Sequence, residues 1–192
     1  AQLLEPVDVP GGDERRRAAR RRGRALPRRP AVEHQAAHLE RELRPLYVLY
    51  GDDPLLVIEA ADAIRAKSRQ QGYSEREVLT VLPQFDWGSL LAAGGNMSLF
   101  GDKKLIDLRV PTGKVGKEGS AALQQWCQNL SMDNLLLITL PELDWREEKA
   151  AWFTALVNAG VAIKLIAPKL TELPGWIIGR LRRQQQSAEL DA

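Results

Sequence analysis

From position 46 onward the apolar residues fall into short blocks set apart by turn-forming residues, and the period inside the blocks switches between that of a strand and that of a helix. Leu46–Tyr50 (LYVLY) is an uninterrupted apolar run of strand length. It stops at Gly51-Asp52-Asp53-Pro54, where Asp53 suits a helix N-cap and Pro54 the first helical position. Val57, Ala60, Ala61 and Ile64 then recur at helical spacing, and Gly72 fits the end of that helix. Val78–Leu82 predicts a second strand, Asp86 caps a short helix holding Leu90 and Leu91, and Lys104–Val110 predicts a third strand. Gly113–Gly119 reads as a flexible Lys/Gly loop, after which Leu123, Trp126, Cys127 and Leu130 mark one face of a helix. Asn134–Leu140 is a fourth strand. Asp144 opens a helix with a buried stripe of Trp152, Phe153, Leu156 and Val157, closed by Gly160, and Val161–Ile166 is a fifth strand. Thr171 predicts a cap for a last helix through Trp176, Ile177 and Leu181, and Glu33–Leu43, upstream, reads as a polar helix ended by Pro45.

Strands alternating with helices imply parallel pairing through crossovers, a sheet covered on both faces, and a three-layer α/β domain. The pattern leaves the strand order open. A hydrophobic content of 44% excludes global disorder, and the longest apolar run, Leu135–Leu140, falls far short of a membrane span of roughly 20 residues. The net charge of +2 hides a split. Residues 1–30 hold nine arginines against four acids, leaving 18 of the 27 basic and 21 of the 25 acidic residues in the mildly acidic remainder. All eleven aromatic residues lie at Tyr47 or later. The arm, residues 1–30, therefore has too little apolar surface to offset its ordering entropy and is expected to be disordered. It reads either as a phosphate-binding tail or as the product of a wrong reading frame in GC-rich DNA. It has no apolar segment of the kind that leads a secretory signal, and the single Cys127 forms no internal disulfide, which suits a reducing cytosol. Beginning at Ala1 without an initiator Met, the chain is expected to be part of a longer protein.

Candidate chemistry is sparse. A phosphate loop needs glycines, a Lys for the phosphates and a Ser or Thr for magnesium, whereas the first strand-turn-helix offers Asp52 and Asp53 and no GK[ST] follows anywhere. Those carboxylates read as turn and cap, with a metal ligand pair as the alternative. His34 and His38 share a helical face, but Gln35 stands where a zinc protease needs Glu and no third ligand is in sight. Cys127, on an apolar stripe with no neighbouring His, reads as a buried structural thiol. The informative segment is Asn96-Met97-Ser98-Leu99-Phe100-Gly101-Asp102, where three large apolar residues sit at a helix-to-strand junction flanked by glycines. Two readings stay open for Met97, Leu99 and Phe100: a core plug at the helix end, or an exposed apolar element that inserts into a partner.

At this point the chain resembles the family of bacterial DNA polymerase III delta subunits. The resemblance lies in Leu46–Leu56 (LYVLYGDDPLL), Met97-Ser98-Leu99-Phe100, Asn134–Ile138, Ala150–Leu156 (AAWFTAL) and Leu173-Pro174-Gly175-Trp176, in that order, and covers about residues 33–192. It implies a RecA-like, AAA+-type domain over residues 31–168 that lacks a functional phosphate loop, followed at 169–192 by the start of a helical lid domain. It implies a part in DNA replication: binding and opening the beta sliding clamp through Leu99 and Phe100, with Met97 as an accessory contact. The partners implied are the clamp and the delta prime and gamma/tau subunits of the loader, with DNA met through the complex and no membrane. No cofactor, metal or catalytic site of its own is expected in this cytoplasmic component of the polymerase holoenzyme. The arm matches nothing in the family, and the alternative is a nucleic-acid-binding α/β module acting through its arginines.

Overall fold

The computed structural model describes residues 43–95 and 103–183. Within them β1 (Leu46–Gly51), β2 (Tyr73–Thr80), β3 (Lys103–Arg109), β4 (Asn134–Pro141) and β5 (Val161–Leu165) form one sheet. Its lateral order is β2-β3-β4-β1-β5, and every neighbouring pair is parallel. The strands alternate with α1 (Pro54–Gln70), α2 (Trp87–Gly95), α3 (Gly116–Gln128), the single turn α4 (Trp145–Glu148) and α5 (Ala151–Ala159). A last helix, α6, spans Leu173–Arg183. This is the parallel α/β architecture that the alternation of periods predicts.

The strand period of two divides the core between two faces. Tyr47 and Leu49 of β1 and Leu135 and Leu137 of β4 meet Leu56, Val57, Ala60 and Ile64 of α1 on one side. Leu46, Val48, Leu136 and Ile138 point the other way, onto Trp87 and Leu90 of α2, Leu123 and Trp126 of α3, and Trp152, Phe153 and Leu156 of α5. The central strands are buried on both faces, and that is why they read as continuous apolar runs. β1 approaches β5 so closely that a Cβ on Gly51 would lie 1.7 Å from the Leu165 carbonyl oxygen.

Where structure and periodicity differ, packing supplies the reason. β2 begins at Tyr73, five residues before the predicted start, and Leu82 lies beyond its end, exposed. Since β2 is an edge strand, its Ser74–Glu77 stretch faces largely to solvent and shows no apolar period. The predicted loop 113–119 is helical from Gly116. Gly119 sits within α3 because a Cβ there would come within 2.4 Å of the Trp87 indole, so close helix packing selects the glycine. The helix expected from Asp144 breaks at Lys149–Ala150 into α4 and α5, and Val157 turns outward. β5 ends at Leu165 with Ile166 exposed, and α6 starts two residues after Thr171. The arm, His34, His38 and most of the predicted Glu33–Leu43 helix lie outside the described residues; Leu43 is buried against the α1 side of the core.

Candidate functional site

In a parallel sheet, ligands commonly settle at the carboxyl ends of the strands where successive crossovers leave on opposite faces. Here that switch point lies between β1, followed by α1 on one face, and β4, followed by α5 on the other. The turn after β1 is already occupied by its own side chains. Asp53 caps α1, its Oδ1 accepting from the amides of Leu55 at 2.9 Å and Leu56 at 3.3 Å. Asp52 Oδ1 accepts from the Ala167 amide at 3.0 Å, tying the turn to the segment that follows β5. Asp144 caps α4 in the same way, and the two amide hydrogen bonds, from Glu147 and Arg146, hold its carboxyl below the usual carboxylate range. Glu148 pairs with Lys164 at 2.7 Å, and that hydrogen bond raises the lysine's pKa. The turn-and-cap reading of Asp52 and Asp53 thus fits every contact they make, and no group of three or more metal-ligating side chains occurs among the described residues. A phosphate arriving here would meet carboxylates already engaged in structure.

The segment proposed from sequence as partner-binding starts and ends at the opposite edge. Met97, Leu99 and Phe100 lie outside the described residues, but both of their anchors are in view. On one side α2 ends at Gly94-Gly95. A Cβ on Gly94 would fall 2.4 Å from the Trp126 indole, so the last turn of α2 rests directly on that ring. The Gly94 carbonyl, one of the acceptors a helix end leaves unpaired, receives Asn134 Nδ2 at 2.8 Å. On the other side the Lys104 amide donates to the Asp133 carbonyl at 2.8 Å, and β3 begins beside β4. Both anchors stand at the amino ends of β3 and β4, about 20 Å from the switch point at the roughly 3.3 Å rise per residue of a strand. A shallow, mostly apolar groove between α2 and α3, floored by Leu91 and Trp126 and edged by Asn129 and Asn134, opens beside this junction.

One polar cluster escaped the sequence reading. Asp107, in the middle of β3, is fully buried and accepts hydrogen bonds from Arg65 Nε of α1 at 2.9 Å and from Arg76 Nη2 of β2 at 2.6 Å. Arg65 also donates to Asp62 at 2.7 Å. Burial opposes the charge on Arg65, but the hydrogen bonds to Asp107 and Asp62 outweigh it and raise its basicity. The visible signal was an Asp inside the apolar run Leu105–Leu108. Cys127, expected to be buried, is only half-buried at the rim of the core, and burial pushes its thiol up to about 11. That is the state of an inert thiol.

Fold and site together define a parallel α/β core whose switch point carries carboxylates bonded within the chain, with the anchors of the 96–102 segment at the other end of the strands. The sequence profile of the DNA polymerase III delta subunit matches residues 47–165. The delta subunit of Escherichia coli K12 is 33% identical over 159 residues, which are 83% of this chain and 46% of that protein. The delta subunit of Haemophilus influenzae is 30% identical over 161 residues, 81% of this chain and 46% of that one. A solved structure of the Bacillus subtilis DNA clamp loader delta protein shares the fold at a TM-score of 0.60 and 19% identity, over 81% of this chain and 48% of that one. The chain belongs to the DNA polymerase III delta subunit family. It spans about half the length of the curated relatives it matches.

Proposed function

We propose that this chain is the clamp-binding portion of a clamp-loader delta subunit, acting in DNA replication by binding the beta sliding clamp and favouring its open form. The observation behind this reading is the Met97-Ser98-Leu99-Phe100 element in a member of the delta family, strung between anchors at the edge of the sheet remote from the switch point. Leu99 and Phe100 are the main plug and Met97 an accessory contact. Fully burying a Leu and a Phe is worth roughly 1.5–3 kcal/mol each before the costs of association. Ring opening requires in addition that the opened clamp be bound more tightly than the closed one, so the face around the plug must contribute contacts that only the altered clamp offers. Delta prime and gamma/tau subunits are the partners in the loader and the source of nucleotide control, DNA is met through the assembly, and the setting is cytoplasmic. No described helix is long and apolar enough to cross a membrane.

Residues 31–168 form the clamp-binding domain in this reading, and 169–192 begin a helical lid. The alternative of a nucleic-acid module working through the arginine-rich arm is not favoured, because the residues matched to the family begin at 47. The test is the double variant Leu99→Ala/Phe100→Ala, measured for clamp binding by surface plasmon resonance. Affinity is expected to fall at least tenfold while the circular dichroism and urea midpoint stay unchanged. Undiminished binding by a folded variant overturns the assignment.

A further inference from the structure

β2 closes one side of the sheet, and a single bond fixes which of its backbone groups face outward. Just past its end the Val81 amide donates to the Arg109 carbonyl of β3 at 2.8 Å. Peptide groups alternate in direction along a strand, so those of Arg76, Val78 and Thr80 point away from β3, toward a side where no described strand lies. Register with Leu105, Asp107 and Arg109 sets the side chains of the same three residues on the α1 face. α1 covers β1 and β4 and reaches β3 through Arg65. Beyond that point the face is open, and Arg76, Val78 and Arg109 are all exposed.

This open margin carries an excess of positive charge. Asp107 is already held by Arg65, which donates Nε to one carboxylate oxygen at 2.9 Å and Nη2 to the other at 3.2 Å. Arg76 adds Nε and Nη2, both to Oδ2, and keeps Nη1 uncommitted among the described residues. Arg109 Nε stands 3.9 Å from Asp107 Oδ1, beyond hydrogen-bond reach, and its side chain is 46% exposed. With Asp62, which pairs with Arg65, the cluster sets three cations against two carboxylates. Neutralising Asp107 does not require Arg109, and a guanidinium fork left over beside an open strand suits the carboxylate of another chain. The other face of this margin has the opposite balance, Glu75 and Glu77 against Lys104.

We propose that the β2 edge is a docking site for an extended acidic segment of a partner protein. The segment adds as a further strand, its backbone bonded to the outward groups of Arg76, Val78 and Thr80. Every second side chain is a Glu lying over the α1 face, against Arg109 and Arg76. Val78 and Thr80 are short enough for a Glu to reach across them. Charge complementarity selects this occupant. A second copy paired antiparallel along β2 keeps both α1 faces on one side, which brings arginines against arginines. Nucleic acid finds no stacking platform here, since none of Arg76, Val78, Thr80, Asp107 and Arg109 is aromatic.

The probe is an acetylated and amidated heptapeptide of alternating Thr and Glu, added at millimolar concentration to the 192-residue chain and followed by amide hydrogen exchange in NMR spectra. Exchange at the outward amides of Val78 and Thr80 is expected to slow at least tenfold, while that of Glu77 and Leu79, which face β3, stays as it was. Arg109→Gln should weaken peptide binding at least fivefold at an unchanged urea midpoint, and the same peptide with Lys in place of Glu should not bind. Val78→Pro removes an outward amide and leaves the pairing with β3 intact, so it should abolish the protection of Thr80. Unslowed exchange at Val78 and Thr80 overturns the proposal, as does equal protection by the Lys peptide. Peptide binding that survives Val78→Pro would be charge attraction without strand addition and overturns it too. Tighter binding of oligodeoxythymidine at the same amides would assign the margin to nucleic acid, and protection without peptide that vanishes on dilution would assign it to a second copy; either result is fatal to the proposal. None of these readouts involves Leu99 or Phe100, so this proposal and the clamp assignment fail separately.

Discussion

Asp107 is the side chain on which the α1 face of the sheet depends electrostatically. A carboxylate with no exposed surface is tolerable only with its charge and lone pairs matched, and Arg65 and Arg76 match them from two different elements. Removing the carboxylate leaves Arg76 without that partner and Arg65 buried with only Asp62. Asp107→Asn is therefore expected to lower unfolding stability by about 3 kcal/mol or more. Arg76→Met, at a side chain 38% exposed, should cost about 1 kcal/mol. Urea unfolding of both variants checks the ranking, and equal small losses would show that the cluster is incidental to the fold. The sequence displayed the odd carboxylate within Leu105–Leu108 but withheld its partners, since Arg65 and Arg76 stand 42 and 31 residues away.

The last turn of α2, bearing Gly94, is the element that aims the proposed clamp-binding segment. Its seat on the Trp126 indole and the Asn134 side chain beneath its carbonyl set where the chain departs toward Asn96. A Cβ at Gly94 requires α2 and α3 to move apart. Gly94→Ala should cost about 1–3 kcal/mol through overpacking and weaken clamp binding although it leaves Met97, Leu99 and Phe100 intact. The Leu99→Ala/Phe100→Ala variant should do the reverse, losing affinity at unchanged stability, and the pair of measurements separates aiming from contact. At this scale the sequence was read well wherever an element is buried on both sides. β1, β3 and β4 match their predicted positions to within a residue or so. It was read poorly where solvent or close packing replaces the apolar signal, as along the edge strand β2 and at the glycine-rich start of α3.

For the molecule as a whole, the switch point of the parallel sheet carries carboxylates in place of a phosphate loop. The switch point is lined by Asp52, Asp53, Asp144 and Glu148, each already bonded to an amide or a lysine of the same chain. Isothermal titration with magnesium ATP is expected to show no saturable binding up to millimolar nucleotide. A micromolar dissociation constant would mean that these carboxylates are displaced and that the chain has nucleotide control of its own.

What the sequence determined by itself is local. Runs of apolar residues with the strand or helix period, caps such as Asp53 and Asp144, and the absence of a phosphate loop all follow from neighbours a few residues apart, and so did the parallel α/β class. The apolar trio at Met97, Leu99 and Phe100 was equally legible as composition, with its role open between core plug and partner contact. Only the tertiary structure decided the strand order, the pairing of Asp107 with its arginines, and the separation of the junction's anchors from the switch point by the length of the sheet. The reason is common to all of these: each depends on which distant segments the crossovers bring together, and the period of a sequence describes the face of an element without naming what lies against it.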